Sequence, residues 1–418
     1  MPYAVRTYAS RLILAIVTFL TNVIIARKLG ASGVGNYALI LASGMLLAHL
    51  LSFGLESALL YFTSKKLKNR NKLLKFAVTY ALSITLLATV IINTLNVFDI
   101  FKFQHSNLIC IVMLFQMLQS LLIAIKTGEG QLYFINKCLI FCHCIFLILA
   151  AFILPINYQN YVTIVTAYIF ISFIFFVLIT KDVKWFGSSS EQVPSKDLFI
   201  YARRSYIANI SGVIRLRIQI IILSLYALPP SLGIFSVAQS FTEALYILPI
   251  MLSSILIPSI SNLEKKAQEK SFVNFTKFSF YTGLAMLISI QLIAPIIIPL
   301  IYGDQYVEVV TVLRVLSISV AFYCINKMFM GFLFAINKPE LCSRSEFIAM
   351  IIAIVCSLVL APIYGATGIA ISAVLSAISL SIVLIFYLKQ VSKVRMRDII
   401  LFKQNDITLL VDNIGFKK

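Results

Sequence analysis

Charge is scarce in this sequence, and acidic charge is scarcer still. Asp, Glu, Lys and Arg make up 12% of the 418 residues, and 16 acidic side chains stand against 35 basic ones, a formal net charge of +19. With 60% hydrophobic residues and a mean hydropathy of +0.97, a soluble globular domain is excluded. A nucleic-acid partner is excluded with it, because that would need the cations on a soluble basic face. Nucleotide chemistry is missing as well. The glycines at Gly30, Gly33 and Gly35 are not followed by the Lys-Ser/Thr of a phosphate-binding loop, and no Asp-x-Asp signature or sizeable outer loop occurs. The chain is therefore expected to be a transporter and not an enzyme.

Cysteine chemistry is also absent. The seven cysteines lie within or at the ends of apolar runs, where a free thiol behaves as a small hydrophobe, so no disulfide framework is expected. One cluster, Cys138, Cys142, His143 and Cys144, resembles a ligand set. Cys142 and Cys144 fall on different helical faces and no second ligand pair follows, so no metal or cofactor is expected.

What the chain does have is a series of apolar runs of about 20 residues, the length at which a helix spans a bilayer. The expected fold is an all-α integral membrane protein of about twelve transmembrane helices in two six-helix lobes. The first six spans run approximately Leu12–Ile25, Tyr37–Phe62, Phe76–Val97, Leu108–Ile125, Leu132–Leu154 and Val162–Ile179. The second six run approximately Tyr201–Tyr226, Leu232–Ile260, Phe275–Ile301, Val309–Ile336, Phe347–Ala361 and Ala366–Leu388. The domain expectation follows: an N-terminal lobe over 1–180, a polar linker over 181–198, a C-terminal lobe over 199–389 and a basic tail over 390–418. The N-terminal run offers no small-x-small cleavage site, so it is read as a retained first span.

Lysine and arginine set the orientation. They crowd both termini and the breaks after even-numbered spans, whereas the breaks after odd-numbered spans hold only Arg27, Lys28 and Lys102. The positive-inside rule then places both termini in the cytoplasm, with the cationic loops against anionic lipids. Six spans per half give the halves the same orientation, so any repeat is parallel. Gly35-Asn36-Tyr37 opening the second span and Gly233-Ile234-Phe235 opening the eighth are a faint echo of one.

Against this apolar background the ionisable residues at membrane depth stand out, since such residues are expensive and by default mark function. The chain is expected to reverse at Pro229 and Pro230. Arg215 and Arg217 lie about 14 and 12 residues before that turn and Glu243 about 13 after, so at ~1.5 Å per residue they share one level. Two cations against one carboxylate leave room for an anion, and a phosphate fits. Ser211, Arg215, Gln219 and Tyr226 share one helical face, with Arg217 turned away, and Ser236, Gln239, Ser240, Glu243 and Tyr246 form a polar stripe on the partner. The bland alternative is that these charges only staple helices together. In the first hairpin, with Gly33 as the reversal, Arg11 and Glu56 fall near the cytoplasmic ends. Glu56 shares a face with His49, Ser52 and Thr63, which makes Glu56 and His49 candidates for ion coupling. Arg314 and Lys327 are further buried cations on the tenth span, and Lys327 can snorkel to the inner surface.

Five segments carry a family resemblance: ARKLGASGVGNYALI (Ala26–Ile40), FGLESALLYFTSKK (Phe53–Lys66), LGIFSVAQSFTEALYILPIMLSSILIPSIS (Leu232–Ser261), LIYGDQY (Leu300–Tyr306) and APIYGATGIAISAVLS (Ala361–Ser376). Together they resemble the Wzx-type O-antigen and polysaccharide-unit flippases of the multidrug/oligosaccharidyl-lipid/polysaccharide exporter superfamily, over nearly the whole chain. The resemblance implies two lobes around a cationic cavity lined by helices one, two, seven and eight, which here carry Arg11, Glu56, Arg215, Arg217 and Glu243. It implies alternating access carrying an undecaprenyl-pyrophosphate-linked oligosaccharide across a bacterial inner membrane, alongside other polysaccharide-assembly membrane proteins. Relatives often have Asp two residues after an Arg on helix seven, where this chain has Gln219. The competing expectation is a cation-coupled drug exporter of the same superfamily, which would want acidic groups where this chain has arginines.

Overall fold

A backbone crossing hydrocarbon must satisfy its own polar groups, and apolar runs of this length do so as helices. The computed structural model describes residues 2–65, 70–97, 105–152, 161–181, 195–260, 263–392 and 394–400. Every regular element among them is helical. In chain order these are α1 (Pro2–Leu51), α2 (Leu55–Ser64), α3 (Arg70–Val97), α4 (Ser106–Gly128), α5 (Leu132–Phe152), α6 (Tyr161–Thr180), α7 (Ser195–Tyr226), α8 (Pro229–Leu245), α9 (Ile247–Ile260), α10 (Lys265–Tyr302), α11 (Val307–Ala335), α12 (Pro339–Val391) and α13 (Met396–Ile400).

Nine helices among the described residues are long and apolar enough to cross a membrane. Two of these are too long for one crossing: α1 has 50 residues and α12 has 53, about 75 and 80 Å if straight, against a bilayer of roughly 40–45 Å. Each is interrupted by a glycine in a non-helical conformation, Gly30 (φ 65°, ψ 177°) and Gly365 (φ 54°, ψ −129°). These positive-φ conformations favour glycine. Across Gly365 the chain doubles back. Ser372 Oγ donates to Ala353 O at 2.9 Å and Ser376 Oγ to Ala349 O at 2.9 Å, a ladder that only antiparallel limbs make. The first-hairpin break thus lies at Gly30, three residues before the expected Gly33, because Gly33 keeps helical backbone. Two expected spans are not continuous. The second breaks between α1 and α2, and the eighth at Tyr246 between α8 and α9.

The chain forms two compact units, 1–236 and 237–418. In the first, α1 packs against α4, α5, α6 and α7, and α2 against α4 and α7. Val112, Met113, Met117, Leu121 and Leu122 of α4 are its fully enclosed centre. Asn136 Nδ2 donates to Ser10 Oγ at 2.8 Å, tying α5 to α1. The unit continues through α7, past the polar segment taken from the sequence as the divide between lobes. Chain order and packing therefore divide the chain at different places. Of that segment, 182–194 lie outside the described residues, as do 401–418 of the basic tail.

In the second unit α11 packs against α9, α10 and α12 around Leu256, Phe272, Phe275, Phe329, Phe332 and Leu384. Asn326 and Ser381 hydrogen-bond across this core at 2.7 Å, the kind of polar cross-link that joins helices where hydrocarbon supplies no hydrophobic driving force.

Candidate functional site

A helix broken inside a membrane leaves its last four carbonyls without intrahelical donors, and each needs another. At the end of α1 all four find one. Ser52 N donates to Ala48 O at 2.9 Å, and Ser52 Oγ to His49 O at 2.9 Å. Tyr206 of α7 donates to Leu50 O at 2.9 Å and Tyr80 of α3 to Leu51 O at 2.9 Å. The chain then turns through Phe53 (φ 47°) and Gly54 (φ 78°) into α2. Gly54 admits α7, since a Cβ there would lie 2.5 Å from Ala202 O.

Two of the expected residues meet across this break. His49 stands in the last turn of α1 and Glu56 in the first turn of α2, each where the helix dipole favours its charge. His49 Nε2 and Glu56 Oε1 are 3.8 Å apart. His49 Nδ1 lies 2.9 Å from Met45 O, so Nδ1 carries a hydrogen and Nε2 faces the carboxyl group. A neutral imidazole with that tautomer would turn a lone pair toward a carboxylate. A proton on either group would lie between Nε2 and the carboxyl oxygens. Glu56 Oε1 is buried and has no hydrogen-bond partner among the described residues. The ten residues of α2 place the break ~15 Å from the inner end of the span, about half the hydrocarbon thickness.

On α7, Ser211, Arg215 and Gln219 form one buried face, with 0%, 8% and 4% of their surface exposed. Arg217 is half-buried on the side of the helix that bears Ala202 and Tyr206. It lies within electrostatic reach of the Tyr168 hydroxyl on α6. Tyr168 also accepts a hydrogen bond from Gln116 Nε2 of α4, and with Gln119, His143 and Ser172 these residues line a cavity of about 120 Å³. Sequence reasoning missed Gln116, Tyr168 and the capping tyrosines. Gln116 and Gln119 inside an otherwise apolar run are the signal that could have found the cavity. Arg11 is half-buried next to Ser10, the residue that receives Asn136.

In the second unit, Glu243 accepts a 2.9 Å hydrogen bond from Gln239 one turn earlier, so the expected polar stripe on α8 is present. The helix breaks just beyond it because Pro249 has no N–H for the carbonyl of Leu245, and Tyr246 N is shared between Thr242 O and Glu243 O, both at 3.2 Å. Tyr246 stacks on Tyr323 at 3.9 Å, and Lys327 lies 5.1 Å from the Tyr323 ring. Arg314, expected to be buried, is an exposed residue whose guanidinium serves the backbone. Pro295 deprives the Gln291 carbonyl of its helical donor, and the Arg314 guanidinium supplies two, Nη2 at 3.0 Å and Nε at 3.3 Å.

One contact in the first unit has twofold character. A Cβ on Gly35 would lie 2.0 Å from Pro229 O, and a Cβ on Gly233 would lie 1.9 Å from Ala31 O. The two turns clasp each other reciprocally, glycine against carbonyl each way, with the same spacing from carbonyl to glycine on both sides. This is the echo at Gly35 and Gly233 seen in the sequence.

Comparison with known proteins follows the same lines. The family described as "Polysaccharide biosynthesis protein" matches residues 24–311, and that described as "Lipid II flippase MurJ" matches residues 214–413. No curated protein sequence matches the chain. Among solved structures, the lipid II flippase MurJ in an inward closed conformation aligns with a TM-score of 0.75 at 16% identity, covering 99% of this chain and 93% of that one. An inward-facing multidrug resistance MATE transporter of the MOP superfamily gives 0.69 at 14% identity over 90% and 94% of the two chains. A MATE transporter from Vibrio cholerae gives 0.62 at 11% identity over 93% and 96%. At these identities the likeness is one of fold. The match over 24–311 takes in the α1–α2 break, the α7 arginines and the polar stripe of α8, and the chain belongs to the polysaccharide biosynthesis protein family.

Proposed function

We propose that the chain flips a lipid-linked oligosaccharide, an undecaprenyl-pyrophosphate-linked repeat unit, from the cytoplasmic to the outer leaflet of a bacterial inner membrane by alternating access. The carrying observation is a pair of arginines, Arg215 and Arg217, on the 32-residue helix α7 of a polysaccharide-biosynthesis family member. A pyrophosphate leaving water loses much of its hydration, and charge-assisted hydrogen bonds from fixed cations offset a loss of that size. Gln219 beside them and the Gln239–Glu243 pair offer donors and acceptors to sugar hydroxyls. Arg11, at the inner end of α1, receives the anion from the cytoplasmic surface. Arg314 serves the fold through Gln291 and is left out of the binding set. A cationic drug would find arginines where it needs carboxylates, which disfavours an exporter of the MATE kind despite the shared fold. The flipped unit feeds polysaccharide-assembly proteins on the outer side.

Coupling resides at the broken second span, where His49 and Glu56 face each other across the break. Discontinuous helices near the bilayer midplane are the usual setting for coupling-ion sites. The deciding experiment measures surface polysaccharide in a deletion strain expressing each variant, normalised to protein in the membrane. Arg215→Ala is expected to abolish it, and Arg215→Lys to lower it about tenfold, because a point charge replaces a bidentate fork. Full polysaccharide from well-expressed Arg215→Ala would overturn the phosphate role.

A further inference from the structure

The flank of α8 opposite its polar stripe borders an apolar groove of about 310 Å³. Phe241 and Leu245 of α8, Ala285, Met286 and Ile293 of α10, and Leu313 of α11 line it. Residues 241 and 245 each follow 239 and 243 by two positions, about 200° around a helix, so the same helix carries hydrogen-bonding groups on one face and a hydrocarbon surface on the other. The groove offers little to a polar guest. Two hydroxyls also line it: that of Thr282 donates to Phe278 O at 2.8 Å, and that of Ser289 belongs to an exposed residue. Ile290 and Ala294 are buried beneath it, whereas Ala285 and Ile293 are exposed at its rim. Next to that rim Leu292, Ile296 and Leu300 are each about 70% exposed, so the groove is continuous with a surface whose solvent is hydrocarbon.

We propose that this groove holds the polyisoprenyl chain of the transported lipid, an inference that rests on the flippase reading above. A flexible aliphatic chain fits a site that opens to the bilayer and is lined, apart from the hydroxyls of Thr282 and Ser289, by aliphatic and aromatic side chains. The carrier lipid is favoured over an ordinary phospholipid because only the carrier has a sugar head to engage Gln239 and Glu243. With a helix diameter of about 10–12 Å, one molecule reaches both faces of α8. The groove then selects for the carrier, while the polar face reads the sugar.

The test uses the full chain in nanodiscs and an undecaprenyl-pyrophosphate-linked disaccharide with a photoreactive group in its tail. Label is expected on the peptides carrying Leu245 and Met286. Ala285 is exposed, so Ala285→Trp fills the groove without disturbing the packed interior. That variant is expected to lower labelling about tenfold, the equivalent of losing roughly two buried methylenes. Ile288→Trp, exposed off the groove, is expected to leave it unchanged. Excess unlabelled undecaprenyl-pyrophosphate-linked disaccharide should displace the label and excess phospholipid should not. Displacement by phospholipid would assign the groove to bulk lipid, and efficient disulfide dimers of Ala285→Cys in membranes would assign it to a second copy. Either result overturns the proposal, as does undiminished labelling of Ala285→Trp. Flipping without groove labelling defeats the groove alone, and groove labelling without flipping defeats the transport reading alone.

Discussion

At the scale of single residues, the structure separates charges that face one another from charges spent on backbone. Arg314 belongs to the second kind, because Pro295 leaves the Gln291 carbonyl free and the guanidinium occupies it. Arg314→Met is expected to destabilise the protein by about 1–3 kcal/mol, the cost of a backbone acceptor left without a donor where the surrounding solvent is hydrocarbon. The same change in a Pro295→Ala background should cost little, since residue 295 then supplies the missing N–H. Thermal unfolding of the four proteins checks this, and additive losses would refute it. His49 and Glu56 belong to the first kind. With an inward proton gradient imposed on proteoliposomes, the wild-type flipping rate should rise, each pH unit being worth about 1.4 kcal/mol per proton. Glu56→Gln removes the ionisable carboxyl group from the pair, so its rate should ignore the gradient. A wild-type response in both Glu56→Gln and His49→Gln would remove the pair from coupling. The sequence put these two residues on one face of a continuous helix and so made them neighbours for an incorrect reason. They meet across a break, which apolar periodicity does not record because Phe53 and Gly54 interrupt neither the hydropathy nor the length of the run.

At the scale of elements, the glycine clasp has a measurable signature. Gly35→Ala or Gly233→Ala each forces a methyl group against a backbone carbonyl, an overpacking that costs about 1–3 kcal/mol. Because either substitution already parts the turns, the double variant should lose less than the sum of the two. Melting temperatures in detergent check this, and strict additivity would mean that the contacts are independent. Most of the segments that carried the family resemblance turn out to contain a turn or break. Gly30, Gly54, Gly303 and Gly365, all at positive φ, lie in four of the five. That is why motif order was informative where helix composition was not. The breaks were hidden for the opposite reason. Pro249 was visible, but a membrane helix often tolerates proline, and nothing local announced that Leu245 would go without a donor.

At the scale of the whole molecule, the composition was enough for an all-helical membrane protein, and the spacing of apolar runs for its membrane-length segments. Which residues pack together was not legible, since lipid and protein interior look alike to a leucine. The inclusion of α7 in the first compact unit is the clearest case. Orientation rests on the lysine and arginine asymmetry, and reporters fused after Lys68, Ser189 and Lys393 are expected to report cytoplasm, with those after Asn157 and Asp304 reporting the other side. An external signal at Ser189 would overturn the parallel arrangement of halves. The clasp bears on the same point. In a homodimer, a self-complementary interface repeats every substitution on both sides. Here the chain meets itself in that manner, but each side is encoded separately and can change alone. A carbonyl is the same whichever residue bears it, so Ala31 and Pro229 are free to differ. The glycines facing them have no such freedom, and all that the contact asks of inheritance is the absence of two methyl groups.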